Sequence, residues 1–297
     1  MGASSWKSSD FTSYATLRGY AVTSSTTTGY TKVCLDDLSD ASQMYTSRSV
    51  DSMLNPMNVM RECRDSEEHP NTVSVILALD ETGSMSDCLM EVASSLNEII
   101  SKLYETVNDL EICVMGIGDL AYDSGAIQIG QFESDIRIAE QLDKIWFEKG
   151  GGGNSYESYT AAWYMAARHT DLDCWKRRKK GIIITLGDEM INPYLPKDAL
   201  QRLTGDALQS DIETGDLYLE VSEKYDVYHI FVDHNRYTHM RADGDSKTFK
   251  DVIGDDHVYI ANVNQISDTI IGIVSDQING KSGEFESFVS NSGNISW

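Results

Sequence analysis

The chain has 297 residues, of which 41% are hydrophobic, so it is long enough and apolar enough to bury a substantial core. Its 47 acidic residues outnumber 24 basic ones and give a formal net charge of -23, which argues against nucleic acid and anionic membrane surfaces as partners. No apolar run is long enough to span a membrane, the first residues lack the apolar core of a signal peptide, and five cysteines without a CxxC pair are typical of a reduced, cytoplasmic protein.

Three regions differ in composition. Residues 1–70 are rich in Ser, Thr and Tyr and predict an extended amino-terminal arm, ordered mainly by packing on the rest of the chain or on a partner. Residues 281–297 resemble it in composition and are predicted to form a tail, which leaves 71–280 as the main domain. A basic run in that domain, KRRKK at 176–180, is too short to reverse the acidic balance, and we interpret it as a solvated approach to the next strand.

Buried strands alternate with helices along the main domain. Near-continuous apolar runs predict strands over 73–80, 111–120, 126–132, 180–189, 225–233 and 256–262. Apolar residues at helical spacing predict helices over 86–106, 133–147, 158–170 and 263–278, with one or two more over 198–224. This alternation predicts an α/β fold with a Rossmann-like, doubly wound, mostly parallel sheet. The connection from 111–120 to 126–132 is too short for a crossover helix, which makes 126–132 an antiparallel edge strand.

Polar side chains stand at the predicted carboxyl ends of these strands and in the glycine-rich loop after the helix predicted over 133–147. All are expected on the rim where ligands bind in open α/β sheets. Nine of them are candidate site residues: Asp80, Thr82, Ser84, Asp119, Asn154, Ser155, Glu157, Asp188 and Glu189. They offer carboxylate, hydroxyl and amide oxygens without His or Cys, a set that suits a hard cation such as Mg²⁺, Mn²⁺ or Ca²⁺. The sequence therefore predicts a cation site with room for water and one outside oxygen ligand.

The first of these loops, DETGS at 80–84, matches the D-x-S/T-x-S signature of von Willebrand factor A (VWA) domains. It resembles the metal-ion-dependent adhesion site (MIDAS) of that family, which implies that Asp80, Thr82 and Ser84 would be metal ligands. The family's second loop usually supplies a Thr after paired glycines, and GGGGN places Asn154 at that position. The third loop would supply Asp188, from ITLGDE. The resemblance covers roughly residues 72–280 and implies a VWA fold with Mg²⁺ as the cofactor.

Four further residues are expected to support the metal ligands or to contact a partner: Ser155, Glu157, Glu189 and Asp119. The segment NSYE, residues 154–157, is similar to a variant of the family's second loop in which an acid is followed by Glu three residues later. Here an Asn stands in the place of that acid.

Each candidate ligand also has a purely structural interpretation. Thr82 and Ser84 would satisfy free N–H groups at the start of the following helix. Asp188 would serve as a turn residue, and Asn154 beside four glycines would tolerate a left-handed backbone. Glu157, at the start of a helix, would favour the positive end of the helix dipole.

The resemblance implies a binding module rather than an enzyme, in which a partner protein's carboxylate fills the open metal position. Intracellular and phage-encoded members of the family often act beside AAA+ ATPases or inside multiprotein assemblies, so these are the expected partners, and the chain is able to form oligomers. One alternative is a structural assembly or virion component with a vestigial metal site. Another is a metal-dependent hydrolase, although Thr82 replaces the second acid of the D-x-D motif of haloacid-dehalogenase-like phosphatases.

Overall fold

The computed structural model describes residues 4–24, 29–34, 47–147 and 156–280. A six-stranded sheet forms its centre, with the strands β1 (Val73–Asp80), β2 (Leu110–Ile117), β3 (Ile127–Ile129), β4 (Gly181–Gly187), β5 (Tyr225–Val232) and β6 (Val258–Ala261). Their order across the sheet is β6-β5-β4-β1-β2-β3, and β3 is the antiparallel edge strand. The predicted fold class is therefore confirmed: an α/β fold with a mostly parallel sheet and one antiparallel edge strand.

Strand β1 shows why both faces of the sheet are covered. Successive side chains of a strand point to opposite faces. Accordingly Val75, Leu77 and Leu79 belong to one hydrophobic cluster, while Ile76 and Ala78 belong to a second cluster on the other face. All five side chains are buried, so an uninterrupted apolar run is what this central position requires.

Helices pack on both faces of the sheet. The described residues form α1 (Ser8–Leu17), α2 (Ser86–Thr106), α3 (Arg137–Asp143), α4 (Thr160–Arg168), α5 (Lys197–Thr204), α6 (Thr214–Ser222), α7 (Arg236–Ile253) and α8 (Ile266–Gly280). Helices α1, α2, α3 and α8 contribute to one hydrophobic cluster, and α4 to α7 contribute to the other. None of the helices in these described ranges is both long enough and apolar enough to cross a membrane.

In the described part of the chain, four short strand pairs lie outside the central sheet. They are Ala21–Ser24 with Thr31–Cys34, Arg61–Cys63 with Thr170–Leu172, Tyr156–Glu157 with Met190–Ile191, and Tyr194–Leu195 with Ile212–Glu213. Short 3₁₀ helices occupy Gly83–Met85, Asp173–Arg177, Asp255–His257 and Val263–Gln265. The pair at 156–157 and 190–191 brings the loop before α4 next to the loop after β4.

Two helices of the main domain differ from the sequence prediction. Helix α3 is shorter than the predicted 133–147, and α7 was not predicted at all. The reason for the second is compositional: α7 buries few apolar side chains, among them Phe249 and Ile253, so it lacks a continuous apolar stripe. It begins instead with a capping box in which Asn235 and Thr238 satisfy each other's backbone N–H groups.

The amino-terminal segment packs on the central sheet's helices. Trp6, Phe11 and Tyr20 are buried in the same cluster as α2, and the Trp6 indole N–H donates to Asn97 at 3.0 Å. The division of the chain at residue 70 stays a prediction. Residues 281–297, predicted to be a tail, lie outside the described residues.

Candidate functional site

Two hydroxyls connect two buried acids at the carboxyl ends of β1 and β4. Asp80 is the last residue of β1, and its Oδ1 accepts from the Thr82 backbone N–H at 2.9 Å and from the Thr82 hydroxyl at 2.6 Å. The Ser84 hydroxyl donates to Asp188 Oδ1 at 3.0 Å, and the Thr82 and Ser84 oxygens are 3.4 Å apart. Both acids are buried whereas Ser84 is exposed, so this oxygen-rich group opens to solvent at one point.

The local sequence explains this turn better than a helix cap does. An Asp side chain that bonds the backbone N–H two residues later stabilises a tight turn, and Asp80 does this with Thr82. The following helix α2 has Met85 at its N-cap, without a side-chain capping bond. The hydroxyl bonds of Thr82 and Ser84 described above go to acids rather than to the helix.

A buried tyrosine, which sequence reasoning missed, contacts both acidic loops. The Tyr159 hydroxyl donates to Asp80 Oδ2 at 2.7 Å and accepts from the Glu189 backbone N–H at 3.2 Å. No sequence signal identifies Tyr159, because its bonding partners are far away along the chain.

Two basic side chains, also missed, contact the loop after β4. His234 Nε2 lies 2.9 Å from Asp188 Oδ2, and Arg241 forms a salt bridge with Glu189 at 3.2 Å. His234 stands just after β5, so its place at the carboxyl end of a parallel strand was a usable signal. Arg241 lies inside the unpredicted helix α7 and could not have been placed from the sequence.

Acidic side chains concentrate at this end of the sheet. Among the described residues, seven form a group there: Asp80, Glu81, Asp119, Asp123, Glu157, Asp188 and Glu189. All except Glu189 are buried. We call this group the acidic rim.

Burial and the charges of neighbouring acids raise the pKa of two acids in the acidic rim. Burial, with the charge of Asp188, raises the pKa of Asp80 to about 7. Burial, followed by the charges of Asp80, Asp119 and other nearby acids, raises the pKa of Glu157 to about 10. The Glu157 Oε2 atom is buried without a hydrogen-bond partner. A bound cation would relieve both costs, because it stabilises the ionised carboxylates.

The structure brings together most of the residues that the sequence singled out. Asp80, Thr82, Ser84 and Asp188 form one hydrogen-bonded group, and Glu189 adjoins it. Asp119 and Glu157 lie in neighbouring loops of the acidic rim, joined by a bond from the Leu120 N–H to the Ser158 hydroxyl at 3.0 Å. The remaining two, Asn154 and Ser155, lie outside the described residues.

The donor set fits a hard divalent cation. Within the described ranges no three His, Cys, Asp or Glu side chains are placed to hold a metal ion by themselves. A cation at this site would therefore use hydroxyl oxygens together with the two carboxylates. Such oxygen ligands suit Mg²⁺ or Mn²⁺, which commonly keep water in their remaining positions.

Comparisons with known proteins place the chain at low similarity to pilus proteins. No family model and no curated protein match it. A structure of the pilus adhesin SpaC from Lactobacillus rhamnosus GG, in its open conformation, is 13% identical with a TM-score of 0.48, and the match covers 73% of this chain and 31% of that one. The vWF domain of the type V pili tip protein Mfa5 from Porphyromonas gingivalis is 10% identical with a TM-score of 0.45, and the match covers 76% of this chain and 98% of that one. This chain thus spans less than a third of the SpaC chain.

Proposed function

We propose that the acidic rim holds a MIDAS-type site for a divalent cation, with Mg²⁺ preferred and Mn²⁺ or Ca²⁺ as alternatives. The proposed ligands are Asp80, Thr82, Ser84, Asn154 and Asp188. Glu157, Ser155, Glu189 and Asp119 would support them or contact a partner.

The pair of hydroxyls between two buried acids is the observation that carries this proposal. Thr82 and Ser84 each donate a proton to a carboxylate, which leaves their oxygen lone pairs available to a cation. Without a cation, Asp80 and Asp188 repel each other in a buried setting, as the raised pKa of Asp80 reflects. A cation between them would convert this repulsion into attraction.

The biological role that fits such a site is protein binding rather than catalysis. The exposed position of Ser84 gives a partner access to the cation, and a carboxylate from that partner would complete its coordination. We propose that the chain docks an acidic residue of an AAA+ ATPase or of another subunit in a multiprotein assembly. The expected location is cytoplasmic or virion-associated, and the four cysteines with described side chains are buried and not in disulfides.

Thermal unfolding with and without metal tests the cation site. We expect Mg²⁺ or Mn²⁺ to raise the Tm of the full chain relative to EDTA, because a ligand that binds only the folded state stabilises it. Asp80→Ala should abolish this rise whatever its own Tm in EDTA, because it removes a proposed ligand and also the acceptor of the bonds from Thr82 and Tyr159. Asp276→Ala, an exposed acid on α8, is the matched control and should keep the full metal response.

A second measurement tests the binding role itself. Capture of partner proteins on the immobilised chain should depend on Mg²⁺, be lost in EDTA and be lost with Asp80→Ala. A chain without any metal response would instead favour the assembly component with a vestigial site. Phosphatase or peptidase activity that Asp80→Ala removes would favour the hydrolase.

A further inference from the structure

The basic run at 176–180 contributes to a pocket at the end of the sheet opposite the acidic rim. The pocket has a volume of about 310 Å³ and lies beside the amino-terminal ends of three strands. It is lined there by Val73 at the start of β1, Ile182 near the start of β4 and Asp226 near the start of β5. Because parallel strands run from this end to the acidic rim, the two features are separated by the length of the sheet.

The walls of this pocket are largely apolar. Val73 and Ile182 meet Ile278, in the last turn of α8, across the pocket, and the buried thiol of Cys174 adds to the wall. Burial raises the pKa of Cys174 to about 11, so the thiol is neutral and acts as an apolar surface. A volume of this size lies at the lower end of the range of small-molecule sites.

Positive charge surrounds these apolar walls. Arg177, Lys179 and Lys180 line the pocket, while Asp226 is the acid that lines it. Lys180 lies 3.8 Å from Asp226, and Arg177 is held in place by bonds to Asp65 and to a backbone carbonyl. In a chain of net charge -23, three cations around one pocket form a local exception to the acidic surface.

We propose that this pocket binds a small amphipathic anion, meaning one acidic group on an apolar body, such as a fatty or an aromatic carboxylate. The apolar body would replace water against Val73, Ile182 and Ile278, a gain of about 25 cal/mol for each Å² buried. The acidic group would lie among the three cations, which would stabilise a bound anion but not an uncharged ligand. This site is independent of the cation proposed for the acidic rim.

Fluorescence titration of the full chain with anilinonaphthalene sulfonate, itself an aromatic anion, tests the proposal. We expect saturable binding that octanoate or naphthoate displaces, and the better competitor of the two identifies an aliphatic or an aromatic body. Octanol, which lacks the charge, and acetate, which lacks the apolar body, should displace it poorly. Equal displacement by octanol, or fluorescence that does not saturate, would refute an anion site.

Two charge reversals in the same basic run separate the pocket from the general charge of the chain. Lys179→Glu changes a lining residue and should weaken binding about tenfold, the effect of losing about 1.4 kcal/mol. Lys176→Glu is the matched control, because Lys176 pairs with Asp173 and is not among the lining residues. Equal weakening by both variants would assign the binding to long-range charge and overturn the proposal.

A third variant tests the cavity itself. Ile278→Trp should fill the space and abolish competition by octanoate, with Tm and circular dichroism reporting whether the fold is kept. Should it fail to fold, the Lys179→Glu and Lys176→Glu comparison still decides. Asp80→Ala should bind the probe like the unaltered chain with Mg²⁺ or with EDTA, so the failure of one proposed site leaves the other standing.

Discussion

The Tyr159 hydroxyl ties the acid that ends β1 to the loop that follows β4. It donates to Asp80 Oδ2 at 2.7 Å and accepts from the Glu189 N–H at 3.2 Å. The ring is fully buried and packs against both His229 and Phe249, whose ring centroids are 5.3 and 5.4 Å away. The orientation of Asp80 is therefore held by a side chain that has no freedom to move, which is what a preformed cation site needs.

Tyr159→Phe should weaken both the fold and the metal response. A buried hydrogen bond to a carboxylate contributes about 1.5–3 kcal/mol, so we expect a loss of this size in the free energy of unfolding. Without the bond, Asp80 loses one of the interactions that favour its ionised form. The Tm rise caused by Mg²⁺ should shrink accordingly, which thermal unfolding in Mg²⁺ and in EDTA measures.

Tyr164→Phe is the matched control for this prediction. Tyr164 lies on helix α4, which begins directly after Tyr159, and its hydroxyl also donates to a carboxylate, that of Asp206, but away from the acidic rim. The Tyr164→Phe variant should therefore lose stability but keep the full rise in Tm caused by Mg²⁺. A Tyr159→Phe variant with an unchanged response to Mg²⁺ would show that Tyr159 supports the fold alone.

Gly187→Ala should be strongly destabilising because Tyr159 occupies the space of a side chain at that position. A Cβ on Gly187 would lie 2.0 Å from the Tyr159 hydroxyl oxygen and 2.2 Å from its Cε1. Forcing extra atoms into a packed core costs about 1–3 kcal/mol, and here the rigid ring cannot give way. Urea unfolding in EDTA measures the loss.

Gly244→Ala, in contrast to Gly187→Ala, should stabilise the protein. Gly244 lies in α7, is exposed, and has no atom within 4 Å of the position of an added Cβ. Alanine is about 1 kcal/mol more favourable than glycine inside a helix, so this variant should be more stable. Similar effects at the two positions would contradict the close packing of Tyr159 on β4.

The sheet and the positions of two acids followed from the sequence, for a physical reason. An unbroken apolar run such as VSVILALD is possible only for a strand buried on both faces, and parallel strands deliver their last residues to one edge. That reasoning alone places Asp80 and Asp188 together. The connection between them through the Thr82 and Ser84 hydroxyls was not predictable, since it depends on side-chain conformations.

The parts that the sequence missed depend on contacts between distant segments. Tyr159 and Asp80 are 79 positions apart, and no local pattern encodes such a bond. Helix α1, within the predicted arm, buries Phe11 and Ala15 among few apolar positions, so its signal was too weak to detect. Burial against a partner element, rather than local periodicity, stabilises such a segment.

The amino-terminal segment should depend on one buried carboxylate. Asp143, the last residue of α3, accepts from the Tyr14 and Tyr20 hydroxyls, each at 2.8 Å, and pairs with Arg18 at 2.5 Å. Asp143→Ala should lower the free energy of unfolding by about 3 kcal/mol, mostly through the two hydroxyls, because Arg18 is 44% exposed and its ion pair contributes little. Urea unfolding measures this loss.

Hydrogen exchange identifies the segment that loses stability in Asp143→Ala. The backbone amides of α1 should lose protection in Asp143→Ala but keep it in Asp10→Ala, which changes an exposed acid on the same helix. Unchanged protection in both variants would mean that apolar contacts of Phe11 and Ala15 hold α1 without Asp143.

His229 should make the protein lose stability in mild acid. The side chain is fully buried on β5, its ring stacks on Phe249 at 3.5 Å, and burial lowers its pKa from 6.5 to about 3. Between those values the unfolded chain binds a proton that the folded chain refuses, so stability present above pH 6.5 is lost as the pH falls. The loss attributable to His229 is about 1.4 kcal/mol for each pH unit in this window.

His229→Gln removes this titration while leaving an amide to meet Thr185, whose hydroxyl is 2.9 Å from His229 Nδ1. Urea unfolding in EDTA at several pH values gives the free energy of unfolding of both proteins. That of the variant should rise steadily relative to that of the unaltered chain below pH 6, whatever the stability of the variant at neutral pH. His239→Gln is the control: His239 is exposed, and its bond to the Asp233 carboxylate raises its pKa, so its effect has the opposite sign. A variant that followed the unaltered chain in parallel through pH 4 would mean that His229 becomes protonated in the folded state.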